Sequence, residues 1–307
     1  MRTGWLIYNE ADASRNRSYI DWFLAEAQEL AMGLELVYKE ELGIGVTESR
    51  LSLYRRGQRV NVPDYIVMRH RDERLTAHLE AMGAPVFNGS FVSRTANDKA
   101  RTSLYLAQHG IPMPDTRFLS KEDFREANVA GLPFPQVLKT VGGHGGSEVY
   151  RVQTPSEVTE RLAASPPGSS FVLQEMVTPG KDVRVFVIGR TIVGAVLRES
   201  SSDFRANHSL GGDSSLHLLS AEEEALALRI VELFDFGLAG IDFIYGRDGK
   251  VLLNEIEDVV GSRTLSLHSD INLVRLYLNH IQTVLDSTIQ GKKETNHASS
   301  KGTQQDV

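Results

Sequence analysis

"KTVGGHGGSEVYRV", residues 139–152, sets four glycines around one histidine, between two stretches that alternate like strands, with Lys139 at the entrance. Glycine costs backbone entropy, so Gly142, Gly143, Gly145 and Gly146 within five positions point to a close approach of backbone to something. Two readings stand, a long hairpin turn or a lid over phosphate groups. A Walker loop would need GxxxxGK[ST] running into a helix. Here the lysine precedes the glycines and strands flank both sides. Such a hairpin can still aim N–H groups at phosphate oxygens while a strand lysine neutralises them from below.

Outward from that loop, the second half of the chain reads as strands: "PQVLKT", "SEVYRV", "SFVLQEMV", "VRVFVIG", "TIVGAVLRES", "AGIDFIYG" and "KVLLNEIE". Two helices interrupt them. One opens with the capping box Thr154-Pro155-Ser156-Glu157, the other with Ser220 and Glu223. The first half differs. "GWLIY" (4–8), a helix over 19–33, "LELVY" (34–38), "DYIVMRH" (64–70) and a helix over 72–82 alternate strand with helix, as in a small parallel sheet. Sites in such sheets lie beyond the carboxyl ends of the strands, which singles out Arg69, His70 and Arg71. A helix over 94–109 joins the halves, a last helix spans about 270–287, and the polar stretch 291–307 is expected to be a disordered tail. The division expected is 1–92, 93–180, 181–290 and the tail.

At 307 residues, 41% hydrophobic and 24% charged, the composition is that of a soluble globular protein. A net charge of −7 supplies no basic face for nucleic acid. The absence of cysteine excludes disulfides, zinc–thiolate sites and thiol nucleophiles. No apolar run suits a signal core or a membrane span, so a cytoplasmic enzyme is expected.

Three further stretches carry chemistry. In "GIDFIYGRDGKVLLNEIED" (240–258), Glu255 and Glu257 are two apart on one strand and share a face, with Asp242 approaching from the neighbouring strand. Three carboxylates on one face repel unless a cation sits among them, and hard oxygens suit magnesium. The alternative is a solvated strand face, against which stands the apolar run around these acids. In "DFRANHSLGG" (203–212), Arg205 and Asn207, after Arg198, offer donors for an oxyanion, or form an ordinary polar loop with His208 a bystander. In "LQEMVTPGKDVRV" (173–185), a strand end with apolar flanks could hold a flat purine, and Asp182 follows Glu175 by seven residues.

In this order the motifs resemble the ATP-grasp carboxylate–amine ligases, and within them the RimK-type glutamate ligases. "NDKARTSLYLAQHGIPMPDT" is similar to their entry into the central domain and "FRANHSLGG" to their Arg-x-Asn…Gly-Gly loop. The resemblance implies an ATP-grasp fold of mixed α/β and α+β class, a parallel-sheet N-terminal domain followed by central and C-terminal α+β subdomains. It implies that Lys99 and Lys139 touch ATP phosphates beneath the 142–146 lid. Glu175, Met176 and Val177 would border the adenine, and Asp182 would hold the ribose. Asp242, Glu255 and Glu257 would hold magnesium, two ions, or manganese in its place. Arg205, with Asn207 beside it, would bind the γ-phosphate and an acyl phosphate. Small-molecule or peptide carboxylate and amine substrates and a homo-oligomer are implied as well. Two departures stand out. Glu255-Ile256-Glu257 replaces the family's usual Glu-x-Asn, and "DVVGSRTL" replaces a Pro-Gly turn, making Ser262 and Arg263 candidates for a substrate carboxylate beside Arg69, His70 and Arg71. Arg71 could equally pair with Asp72 or Glu73 at a helix start. An ATP-grasp kinase-type phosphotransferase and an inactive nucleotide-binding protein are the competing functions.

Overall fold

The structure, a computed structural model, describes residues 2–146, 148–201, 203–205 and 213–301, save the side chains of Ile289 and of 291–301. The chain falls into two units: Met1–Gly89 with Asn272–Val307, and Ser90–Ile271. Among the described residues no helix is long and apolar enough to cross a membrane.

In the first unit, β1 (Thr3–Tyr8) leads through α1 (Glu10–Arg15) and α2 (Arg17–Glu29) to β2 (Gly33–Tyr38). Asn9 caps α1 by accepting from Asp12, and α2 buries Ile20, Phe23 and Ala27, the helical stripe visible in the sequence. A meander follows, β3 (Leu42–Thr47), β4 (Arg50–Arg55) and β5 (Gln58–Val60), then β6 (Tyr65–Met68), α3 (Glu73–Ala81) and β7 (Val86–Phe87). The four-stranded sheet has the order β2-β1-β6-β7 and is parallel throughout, as expected. The antiparallel meander was not expected. Its turns carry positive φ at Glu48 and Ser49, and at Arg56 and Gly57; the first has neither glycine nor asparagine to advertise it.

The helix Leu273–Lys301 completes this unit, although chain order had suggested that it closes the C-terminal subdomain. It packs on α2, with the Tyr277 ring edge-on to Phe23 at 6.2 Å and Arg275 paired with Glu26 at 2.5 Å. Its backbone stays helical well past 287 and past the expected start of a disordered tail at 291.

The second unit opens with α4 (Ser90–Ala96) and α5 (Lys99–Gln108), the latter capped by Asp98. One antiparallel sheet contains β8 (Thr116–Ser120), β9 (Gln136–Thr140), β10 (Val149–Val152) and β11 (Ser170–Glu175) in the order β10-β9-β11-β8, backed by α6 (Pro155–Ala164). The other contains β12 (Lys181–Ile188), β13 (Thr191–Glu199), β14 (Asp213–Leu216), β15 (Leu238–Tyr245) and β16 (Val251–Glu257), with α7 (Ala221–Val231) and α8 (Arg263–His268). Its order is β14-β13-β12-β15-β16. Strand alternation divides its residues. Val183, Val185, Val187, Ile241 and Phe243 enter a core with α7, while Asp182, Arg184, Arg198 and Asp242 take the opposite face.

Candidate active site

The glycine loop joins β9 to β10 and lines a cleft within the second unit. Lys139, near the end of β9, donates from Nζ to Asn254 Oδ1 at 2.8 Å. Burial of that ammonium pulls its pKa down to about 8, although the Glu255 carboxylate works against the shift. Lys99, in the first turn of α5, donates to the carbonyl of Gly143 and lies 3.9 Å from Glu255. Arg205 reaches the loop from the far side, donating from Nη1 to the Gly146 carbonyl at 2.7 Å. Asp203 fixes it through Nε at 3.0 Å and Nη2 at 2.7 Å, and that contact holds the Asp203 carboxyl below its usual range. Three cations brought to one cleft under a glycine loop form a receptor for a polyanion.

The other end of the cleft is apolar. Val137, Met176, Val177 and Ile244 line it, with Glu175 beside them. Three hydrogen bonds stiffen this hinge: Glu175 N–H to the Asp115 carbonyl (3.0 Å), Arg247 to the Met176 carbonyl (3.3 Å) and Thr178 N–H to the Tyr245 carbonyl (3.0 Å). A flat apolar ring with polar edges suits such a slot.

The carboxylates are arranged differently from the expectation. The register does set Asp242 opposite Glu255, with Glu257 opposite Gly240, so all three share the expected face. The cation among them is an arginine. Arg184, opposite Asp242 on β12, forks onto both Asp242 oxygens at 2.7 Å each and reaches Glu257 through Nη1 at 2.6 Å. Arg198 adds a further bond to Asp242 at 2.7 Å and forks onto Asp182 at 2.6 and 2.9 Å. Asp242 is only 1% exposed, and although burial opposes ionisation, Arg184 and Arg198 hold its pKa below the ordinary value. Asp182 is pushed the other way, by burial and by Asp242. Each of its oxygens accepts from Arg198, while Asp182 also lines the cleft; Arg198 is a buried partner of acids. Among the described residues no group of three His, Cys, Asp or Glu side chains is arranged to hold a metal. Glu255 remains turned to the cleft, beside Asn254.

That neighbour was missed in the sequence. A bulge between Asp242 and Phe243 leaves Asn254 as the extra residue of β16, so Asn254 and Glu255 both reach the cleft. Arg184 was missed too. Its signal was a charge at the inward phase of "DVRVFV", two residues from Asp182.

Of the remaining second-unit candidates, neither Ser262 nor Arg263 lines this cleft. Ser262 is buried at the start of α8 without a side-chain capping bond, and Arg263 is exposed in its first turn. In the first unit Arg69 is 4% exposed, bonded to the Tyr8 hydroxyl at 3.4 Å and stacked over Tyr19 at 5.5 Å, so it is a core guanidinium and not part of a cationic mouth. His70 faces Asn9 at 3.1 Å, and its pKa is lowered by burial. Arg71 contributes to holding Asp12 ionised, while Asp72 caps α3 by accepting from Leu75. Asn207 and His208 lie outside the described residues.

Residues 96–281 match the RimK-like ATP-grasp domain. The chain belongs to that family. Among curated relatives, a probable alpha-L-glutamate ligase of Legionella pneumophila is 32% identical over 67% of this chain and 69% of its own length. The beta-citrylglutamate synthase B of Danio rerio is 26% identical over 82% of this chain, and the match spans 64% of that protein. The chain thus covers a little under two thirds of the length of this synthase. Among solved structures, D-alanyl-alanine synthetase A of Vibrio cholerae superposes with a TM-score of 0.69 at 14% identity, covering 92% of this chain and 98% of that one. D-cycloserine synthetase gives 0.68 at 18% identity, covering 92% and 99%. These ATP-grasp neighbours share the mixed fold described above, parallel in the first unit and antiparallel in the second.

Proposed function

We propose that the chain is an ATP-dependent carboxylate–amine ligase that makes an amide or peptide bond through an acyl phosphate, releasing ADP and phosphate. The observation that carries the reading is the cleft itself, with Lys99, Lys139 and Arg205 around its glycine lid and an apolar hinge at its other end. The adenine would lie at Glu175–Val177, with the phosphates beneath residues 142–146. A substrate carboxylate would attack the γ-phosphorus, and an amine would then displace phosphate from the acyl group. The chain's share of the work is positioning and charge neutralisation. Lys139 and Lys99 hold the phosphate chain, and Arg205 faces the transferred group with Asn207 near it in sequence.

The donor set fits magnesium of a particular kind. Magnesium is commonly bound through one or two carboxylates together with substrate phosphates. Glu255, facing the cleft beside Lys99 and Asn254, supplies one, and Glu257 supplies a second if Arg184 yields it; two ions are proposed. When bound, the metal would screen the charge of the phosphates. A related solved ligase is described as complexed with Mg and ADP.

The name of the Legionella relative makes glutamate the first amine to test, and Ser262 and Arg263, which do not line the ATP cleft, are proposed to meet a second substrate carboxylate away from the reacting one. A cytoplasmic homo-oligomer acting on small molecules or peptides, without nucleic acid, completes the proposal. The test is phosphate release from Mg-ATP against carboxylates and amines, singly and in pairs, with product masses recorded. Release that needs both, with a product one water lighter than their sum, is the expected result. Release with a carboxylate alone and a persistent phosphorylated product would replace the ligase with a phosphotransferase.

A further inference from the structure

Arg184 occupies the place among the acids where a cation is required. Its Nε and Nη2 take both oxygens of Asp242, and its Nη1 takes Glu257. All three of its nitrogens contact two carboxylates from neighbouring strands. The side chain is 15% exposed and stays charged, because Asp242 and Glu257 outweigh the cost of its burial. Together with Arg198 it sets two positive charges against the three negative ones of Asp182, Asp242 and Glu257. Glu255, next along the row, has Lys99 3.9 Å away.

We propose that Arg184 is a positioning residue, a built-in counter-cation for Asp242 and Glu257, so that the chain binds a free divalent cation weakly and takes its metal together with the nucleotide. The inference rests on the ligase reading for its nucleotide. Without Arg184, the carboxylates of Asp242, Glu255 and Glu257 would face one another across β15 and β16, and a divalent ion would relieve their repulsion. With Arg184 in place, a bare ion gains mainly Glu255 and is repelled by the guanidinium. An ion carried on phosphates brings its own ligands and is less dependent on Asp242.

Manganese, followed by electron paramagnetic resonance or calorimetry without turnover, tests this. Wild type should bind Mn2+ weakly alone and far more tightly with ADP. Arg184→Met should tighten binding of Mn2+ alone by about tenfold or more, the scale of losing a neighbouring like charge. Arg184→Lys should restore weak binding, and Arg184→Met with Glu257→Gln should lose the gain, neither of which a merely structural role would produce. A folded Arg184→Met that binds Mn2+ no more tightly than wild type overturns the proposal. Should that variant fail to fold, Arg184→Gln, which keeps a donor to the acids without the charge, takes its place, and unchanged affinity for Mn2+ alone in that variant also overturns it. If ADP with Mn2+ does not bind at all, the ligase reading fails first.

Discussion

At the scale of single residues, the charge on Lys139 governs how the cleft meets phosphate. Desolvation lowers its pKa to about 8, so it is cationic at neutral pH and loses its charge as pH rises through that value. Affinity for ADP, followed calorimetrically from pH 6.5 to 9.5, should therefore hold below about 7.5 and decline above it, the bound phosphates moving the midpoint upward. Lys139→Met should weaken ADP by about tenfold or more and flatten that profile, since a charge-assisted hydrogen bond is lost. Folding of the free protein runs in the opposite sense. Between the folded value and the ordinary lysine value the unfolded chain binds more protons, so this one group makes the fold more stable as pH rises through that window. Glu255 offers a second test. Glu255→Gln should reduce binding of Mg-ADP yet spare ADP without metal, because the nearby Lys99 then loses a competing anion. Equal losses with and without magnesium would remove Glu255 from the metal.

Elements explain why the sequence revealed some of this and hid the rest. β1 and β6 touch where Gly4 faces Tyr65, and a Cβ on Gly4 would fall 2.2 Å from the ring carbon Cζ. Tyr65 is fully buried and donates to the Gly33 carbonyl at 3.1 Å, so it cannot easily retreat. Gly4→Ala should destabilise the first unit by about 1–3 kcal/mol, measured as a fall in denaturation midpoint without a change in slope. The parallel strands and amphipathic α2 were legible because burial writes a period into the chain, as at Ile20, Phe23 and Ala27. The cleft was legible through residue types of narrow use, the clustered glycines and the lysine before them. Arg184 pairing with Asp242 was not, because a strand's period says which face a side chain takes and not which neighbour it meets. Asn254 was hidden by the bulge, which breaks that period at the one place where it matters. The partnership of Asp182 with Arg198 is likewise set by register across β12 and β13, which no motif announces.

For the whole molecule, the instructive feature is that the chain's last long helix serves its first sheet. Tyr277, Leu278, Ile281 and Leu285 are buried, Arg275 and Asn272 both bind Glu26, and Gln282 donates to the Leu30 carbonyl. Arg2 reaches Asp286 at 2.6 Å, so the two ends of this unit are tied together. Each of the four apolar side chains contributes about 1.5–3 kcal/mol on burial, a sum comparable with the 5–15 kcal/mol of a typical domain. A chain ended at Ile271 should therefore lose the first unit as a folded body. Residues 90–271 contain every side chain assigned above to the ATP cleft, and should keep their own core around Val185, Ile241 and Phe243. A chain ended at Gln290 keeps each of these contacts and should melt like the full protein. Limited proteolysis separates the outcomes. Cleavage of the shorter chain should concentrate in residues 1–89 while 90–271 resists, and ADP should still protect the latter. Uniform cleavage of both units would show that the second unit cannot stand without the first, and that the helix stabilises more than the sheet it covers.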